Sequence, residues 1–276
     1  RQALQRNSLI LARSRANDVL RRPVFSPNGK QLAALGHDGR LHTWIWNGRR
    51  LQPSDSPRLP AGLNSLAVSP DGQSYAATRA DGRVLLLDAA SGAVRLELRG
   101  HEEAAYGAEF SLDGSRLVSI GADRTARIWD SRDGRALRVL RGHQDEITDA
   151  CFSPDGLSVL TAGWDQVAII WNAASGKPVR RFNEMWAPLN SARYSPDGKL
   201  IVTAGTDNSA VVWDAASGVG LTMLGGHDDS LTSAAFSPVD PGLIVTSSRD
   251  QTARVWKRIG ASDAWKQVSL LQGHTG

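Results

Sequence analysis

A short turn sequence returns six times along the chain at an almost constant step, and no other feature limits the fold so strongly. "SPNG" begins at Ser26, "SPDG" at Ser69, "SLDG" at Ser111, "SPDG" again at Ser153 and Ser195, and "SPVDPG" at Ser237, with steps of 43, 42, 42, 42 and 42 residues. A second marker keeps the same beat. Asp38, Asp81, Asp123, Asp165, Asp207 and Asp250 are each followed six residues on by Trp44, Leu87, Trp129, Trp171, Trp213 and Trp256. Two markers in phase make the chain a tandem array, and a period near 40 residues points to stacked supersecondary units, not to one irregular core.

Each unit holds four short apolar runs that fit strands. They are separated by the Ser-Pro-Asp-Gly turn, by the Asp loop, and by Ala-Ala-Ser-Gly at 89–92, 173–176 and 215–218. Phe25, Val68, Phe110, Phe152, Tyr194 and Phe236 precede the first turn, and Ala108, Ala150, Ala192 and Ala234 lie two places earlier, the alternation of one packed strand face. A unit therefore reads as antiparallel strands a, b, c and d. One such sheet cannot bury both faces, but units packed face to face around an axis can. The predicted fold is all-β, a β-propeller with six complete four-stranded blades over 20–272, in units of about 16–58, 59–100, 101–142, 143–184, 185–226 and 227–272. Residues 1–19 are expected to be a linker or outer strand, with 8–14 in the place of a d strand, and 273–276 to open a further repeat.

These residues resemble the WD40 repeat family over about residues 16–276. The Gly100-His101, Gly142-His143, Gly226-His227 and Gly273-His274 pairs and the Trp129-Asp130 and Trp213-Asp214 pairs look like its signatures. The sequence departs from the pattern where Leu87 replaces Trp, where Ile45, Asn172 and Lys257 follow the tryptophan, and where units one, two and five lack the His. The resemblance implies hydrogen-bonded tetrads of His101, Ser119, Asp123 and Trp129, of His143, Thr161, Asp165 and Trp171, and of His227, Thr246, Asp250 and Trp256, each tying the loop before strand a to the b–c turn. It also implies a ring closed by an N-terminal strand, so that the six blades would be part of a seven-bladed or larger propeller. The stretch 1–15 resembles the segment leading into the propeller of large bacterial signalling ATPases of the STAND type, which implies a sensor domain within a longer chain.

His, Ser or Thr, and Asp are also the residue types of a nucleophilic triad. Their return in three units argues against catalysis, because an enzyme needs one activated nucleophile in one pocket while a structural device recurs with the structure. No GxxxxGK[ST], CxxC or HExxH occurs, so no nucleotide, zinc or other cofactor is expected. No acid–base pair peculiar to one unit is evident at the axis. Cys151 shares its strand position with Glu109 and Arg193, which predicts a site outside the deep core. A single cysteine forms no internal disulfide, no apolar run approaches the roughly 18 residues of a membrane span, and no export leader opens the sequence. The expectation is a cytoplasmic setting without a membrane. Lys and Arg exceed Asp and Glu by 32 to 28, and the charges are interspersed, which reads as a solvated surface.

The loops before strand a and between b and c should emerge on one face. Aligned there, the residue before each Asp is His37, Ala80, Ala122, Trp164, Thr206 and Arg249. Trp164 stands out, and Trp186 lies on the next loop around, where unit five has Met185 in the His position. Tyr106, Glu146, Arg249, Arg21 and His37 complete a candidate partner-binding surface, since exposed tryptophans often anchor interfaces. The competing expectation is that Trp186 folds into the gap left by the missing His. The sequence thus predicts a non-catalytic scaffold or sensor that binds a protein or peptide. The alternatives are a propeller enzyme with its site in the central channel, or a nucleic-acid-binding module, for which retention on DNA would fall steeply with salt.

Overall fold

A computed structural model describes residues 20–25, 31–36, 40–183, 185–260 and 264–273, with side chains from Pro23 onward. Among them all regular structure is β, in six four-stranded sheets whose strands lie side by side in sequence order. Blade 1 is β1 (Leu20–Phe25), β2 (Gln31–Gly36), β3 (Leu41–Trp46) and β4 (Leu51–Ser54). Blade 2 is β5 (Leu63–Val68), β6 (Ser74–Arg79), β7 (Val84–Asp88) and β8 (Val94–Leu98). Blade 3 is β9 (Ala105–Phe110), β10 (Arg116–Gly121), β11 (Thr125–Asp130) and β12 (Ala136–Arg141). Blade 4 is β13 (Ile147–Phe152), β14 (Ser158–Gly163), β15 (Ala168–Asn172) and β16 (Pro178–Phe182). Blade 5 is β17 (Leu189–Tyr194), β18 (Leu200–Gly205), β19 (Ala210–Asp214) and β20 (Gly220–Leu224). Blade 6 is β21 (Leu231–Phe236), β22 (Leu243–Ser248), β23 (Thr252–Arg258) and β24 (Trp265–Gln272). The expected outer strand at 8–14, the rest of 1–19 and the onset of a repeat at 274–276 lie outside the described residues.

The recurring turn has a local cause. In four of the a–b turns the serine hydroxyl donates to the aspartate two places on, Ser69 to Asp71 and Ser111 to Asp113 at 2.5 Å, Ser153 to Asp155 and Ser195 to Asp197 at 2.6 Å. The glycine that follows takes a left-handed conformation, as Gly114 does at φ 70°, which a side chain would oppose. The b–c turns demand the same conformation of ordinary residues, Arg124, Gln166, Asn208 and Gln251, at φ between 60° and 68°.

Each strand has its own exposure. The second and third strands are shielded on both faces and read as continuous apolar runs, as in β18 and β15. The outermost strand is wet, and β8, β12 and β16 carry Arg95, Glu97, Arg138, Arg180 and Arg181, charges that discourage edge-to-edge pairing. Between neighbouring blades the facing side chains form separate cores. Trp171 fills the one between blades 3 and 4 with Val118, Ile128 and Phe152, and Trp213 fills the one between blades 4 and 5 with Leu160, Ile170 and Phe182. Leu87 takes the corresponding place between blades 1 and 2, so the missing tryptophan is replaced by a smaller apolar plug.

The side of blade 6 turned away from blade 5 differs. Val202 and Leu224 of blade 5 are covered, but their counterparts Val245 and Leu271 are 43% and 51% exposed.

Cys151 corrects the sequence expectation. It is buried in the core between blades 4 and 5, its Sγ 3.6 Å from the Ala192 carbonyl oxygen, and burial pushes its thiol up to about 12. Glu109 and Arg193 occupy the same strand position but extend into the channel, where long side chains can reach water. The position accepts charge only when the side chain is long enough to leave the core.

Candidate interaction face and central channel

The three predicted tetrads are brought together. In blade 4, His143 lies with Nδ1 2.9 Å from both oxygens of Asp165 and Nε2 2.7 Å from the Thr161 hydroxyl, and the Trp171 indole N–H donates to that hydroxyl at 2.8 Å. Blade 3 repeats this with His101, Asp123, Ser119 and Trp129, and blade 6 with His227, Asp250, Thr246 and Trp256. One tautomer satisfies all of it: Nδ1–H donates to the carboxylate, and Nε2 accepts from a hydroxyl whose lone pair receives the indole N–H. Asp165 also accepts the Gln144 amide at 2.8 Å, which ties the loop before strand a to the b–c turn.

Ser119, Thr161 and Thr246 are fully buried beneath their tryptophans, which leaves each hydroxyl no open face for a substrate. Burial alone would push the Asp123 and Asp165 carboxyls up. The hydrogen bonds from His101 and His143, with those from the loop amides, outweigh it and hold both below the ordinary carboxylate range. Asp250 is lowered in the same balance, with Thr252 and His227 as the main donors against burial. Blade 5 keeps only half the device: Trp213 donates to Thr203 at 3.0 Å, and Met185 packs among the apolar residues where the histidine would stand.

The aligned loop positions meet in space. The amides of Ala122, Trp164, Thr206 and Arg249 donate to the carbonyls of Ala104, Glu146, Pro188 and Ser230 at 2.9–3.0 Å, one bond per blade. Trp164 thus shares its backbone role with its counterparts and differs only in its side chain, which is 46% exposed. Trp186 is 92% exposed and does not fold into the gap left by the missing histidine, while Met185 packs against the core beside it. Irregularities in strand a place Asn64, Thr148 and Asn190 so that they donate to the carbonyls of Ala105, Leu189 and Leu231 in the following blade, at 3.0, 2.8 and 2.7 Å. They link blades and are not free for a partner. Tyr106, at the equivalent place, lies against Glu146, and its phenol is pushed up by burial first and then by that carboxylate. Arg249 is exposed, Arg21 lies on β1 with its side chain outside the described residues, and His37 is outside them altogether.

The channel holds what the sequence did not disclose. Arg193 of blade 5 reaches past the inner strand of blade 4 to the Glu109 carboxylate of blade 3 and pairs with Asp149 of blade 4 at 2.8 Å. Asp149 also accepts the Ala192 amide at 3.2 Å. This is an acid–base cluster without repetition, contrary to the expectation that none faces the axis. Its signal was present in Glu109, Cys151 and Arg193, three unlike residues at one strand position in consecutive units. Equivalent positions on inner strands converge on the axis. Among the described residues no group of three or more His, Cys, Asp or Glu could hold a metal ion, and no helix is long and apolar enough to cross a membrane.

A family model described as "WD domain, G-beta repeat" matches residues 92–130, 134–172, 176–214 and 218–257, more than half of the chain. Each matched segment carries the last strand of one blade and the first three of the next, as 134–172 carries β12 with β13, β14 and β15. The first match opens on β8, the last strand of blade 2, and runs into blade 3, which has a complete tetrad; blade 1 and the first three strands of blade 2 are unmatched. A search of the curated proteins gave no match. Matched repeats and a six-bladed antiparallel propeller agree, and the chain belongs to the WD40 family of WD domain, G-beta repeats.

Proposed function

We propose that this propeller is a non-catalytic module that binds a protein or peptide through the face bearing the b–c turns, with Trp164 and Trp186 as anchors. Domains of this family commonly act as protein-interaction scaffolds. The observation that carries the reading is the outward placement of two tryptophans on neighbouring blades, at a level of the fold where the aligned residues are mostly small or polar. Large aromatic rings left in water lower the cost of desolvating an interface and supply most of its affinity when buried. Glu146, Tyr106 and Arg249 offer a polar border, and Arg21 and His37 belong to it by sequence position. A cytoplasmic setting as part of a longer signalling chain is included in the proposal. The uncovered side of blade 6 supports a further packing unit there, hence a ring of more than six blades.

The test is affinity capture with the double variant Trp164→Ala/Trp186→Ala against the unaltered protein. Loss of the captured partner, with a single cooperative melting transition retained well above the assay temperature, is the expected result. Equal recovery would remove the tryptophans from the interface.

A further inference from the structure

The opposite end of the channel carries a second, independent site. A cavity of about 420 Å³ opens among the a–b turns of blades 3 to 6, within the range of small-ligand pockets. Its rim is apolar, formed by Leu112, Pro154, Pro196 and Pro238, and its floor is polar, formed by Glu109 and Arg193. Leu112 stands where the other turns have proline, and its side chain is exposed.

The floor is unbalanced in charge. Arg193 is shared between Glu109 and Asp149, one guanidinium against two carboxylates. Both oxygens of Asp149 are engaged, Oδ1 by Arg193 and the Ala150 amide and Oδ2 by the Ala192 amide. Glu109 gives only Oε2 to Arg193. Its Oε1 has no hydrogen-bond partner among the described residues, and its side chain is 37% exposed toward the lumen. Enclosure pushes the Glu109 carboxyl up, Arg193 lowers it, and the nearby Asp149 raises it again. With Oε2 taken by Arg193, Oε1 is the acceptor left for a donor entering from the lumen. A divalent metal demands several oxygen ligands, and one open carboxylate oxygen does not supply them. An ammonium needs one such acceptor, with apolar contact for the carbon chain it rides on.

We propose that this end of the channel binds an organic cation, an ammonium group on an apolar body, with Glu109 accepting from the ammonium and the Leu112–proline rim covering the body. The site shares no residue with the tryptophan face, so either can fail without the other.

Titration calorimetry at low ionic strength with phenethylammonium chloride tests it, with 2-phenylethanol as the neutral partner of the same shape. A capped Phe-Lys dipeptide distinguishes a free amine from a lysine side chain as the source of the cation. The expected result is binding of the amine or the dipeptide, no measurable binding of the alcohol, and a loss of about tenfold or more in Glu109→Gln, the size of one charge-assisted hydrogen bond. Leu112→Lys, at an exposed rim position that folding does not depend on, should weaken binding by charge repulsion. Binding of the alcohol as tightly as the amine, absence of binding by both cations, or unchanged affinity in a folded Glu109→Gln protein would overturn the proposal.

Discussion

Asp165 and Trp164 are neighbours in sequence with opposite kinds of dependence on the fold. Asp165 is held by His143 and the Gln144 amide, so Asp165→Ala leaves both donors without their acceptor in a largely dry place. A loss of about 1–3 kcal/mol in denaturant unfolding is expected. The Trp164 ring is 46% exposed and its amide bond survives truncation, so Trp164→Ala leaves no buried polar group unpaired and forfeits only the apolar contacts of the covered part of the ring, about 1–2 kcal/mol. At this scale the tetrads were legible because the same residue types returned at the same spacing. Glu109, Asp149 and Arg193 were not, because their meeting depends on long side chains bridging three blades, which no local pattern reports. Trp186 was legible as an exception but not as an exposed one. Its placement follows from Met185, whose flexible apolar side chain suits the vacancy better than an indole would.

At the level of the element, the turns carry the repeat. The a–b turns of blades 2 to 5 use glycine for their left-handed residue, whereas the b–c turns of blades 3 to 6 force Arg124, Gln166, Asn208 and Gln251 into it. Non-glycine side chains are tolerated there at a cost, and a branched Cβ raises that cost. Gln166→Val should lower stability by about 1–2 kcal/mol in a melting or denaturant experiment, while Gln166→Gly should not. Strand positions were legible from alternation and turn residues, and the propeller followed from sheets that had two faces to bury. What each strand position would bury was less legible. Cys151 sits in the core at a place where its neighbours carry charges, because inner-strand side chains choose between core and channel by their length.

The whole molecule should be sensitive to acid through its tetrads. The Asp123, Asp165 and Asp250 carboxyls titrate below the ordinary carboxylate value of 3.8 in the folded chain. The unfolded chain therefore takes up protons first as the pH falls, and stability held above that range is lost as the pH drops through the folded values. Glu109, raised in the fold, works in the opposite sense, while carboxylates lowered in the turns, such as Asp113 beneath the Ser111 and Ser115 hydroxyls, add to the tetrads. Melting temperature followed from neutral to acidic pH should fall through and below the carboxylate range. Replacing the three aspartates with asparagine should reduce that fall in part, the turn carboxylates keeping the rest, while lowering the melting temperature at neutral pH.

The matched segments and the blades are out of step by one strand. A unit such as 134–172 lends its first strand to one sheet and the remaining three to the next. Arrays whose units each fold as a closed block can lose stability block by block, as a sum of local terms. Here no unit can melt without opening two sheets, so partial unfolding is penalised at both borders and the matched region should respond to heat or denaturant as one cooperative body. The same stagger bears on growth of the chain by duplication: a copied segment inserted between two others would never stand as an isolated sheet, because its first strand completes the blade behind it and the blade it begins waits for the strand that follows.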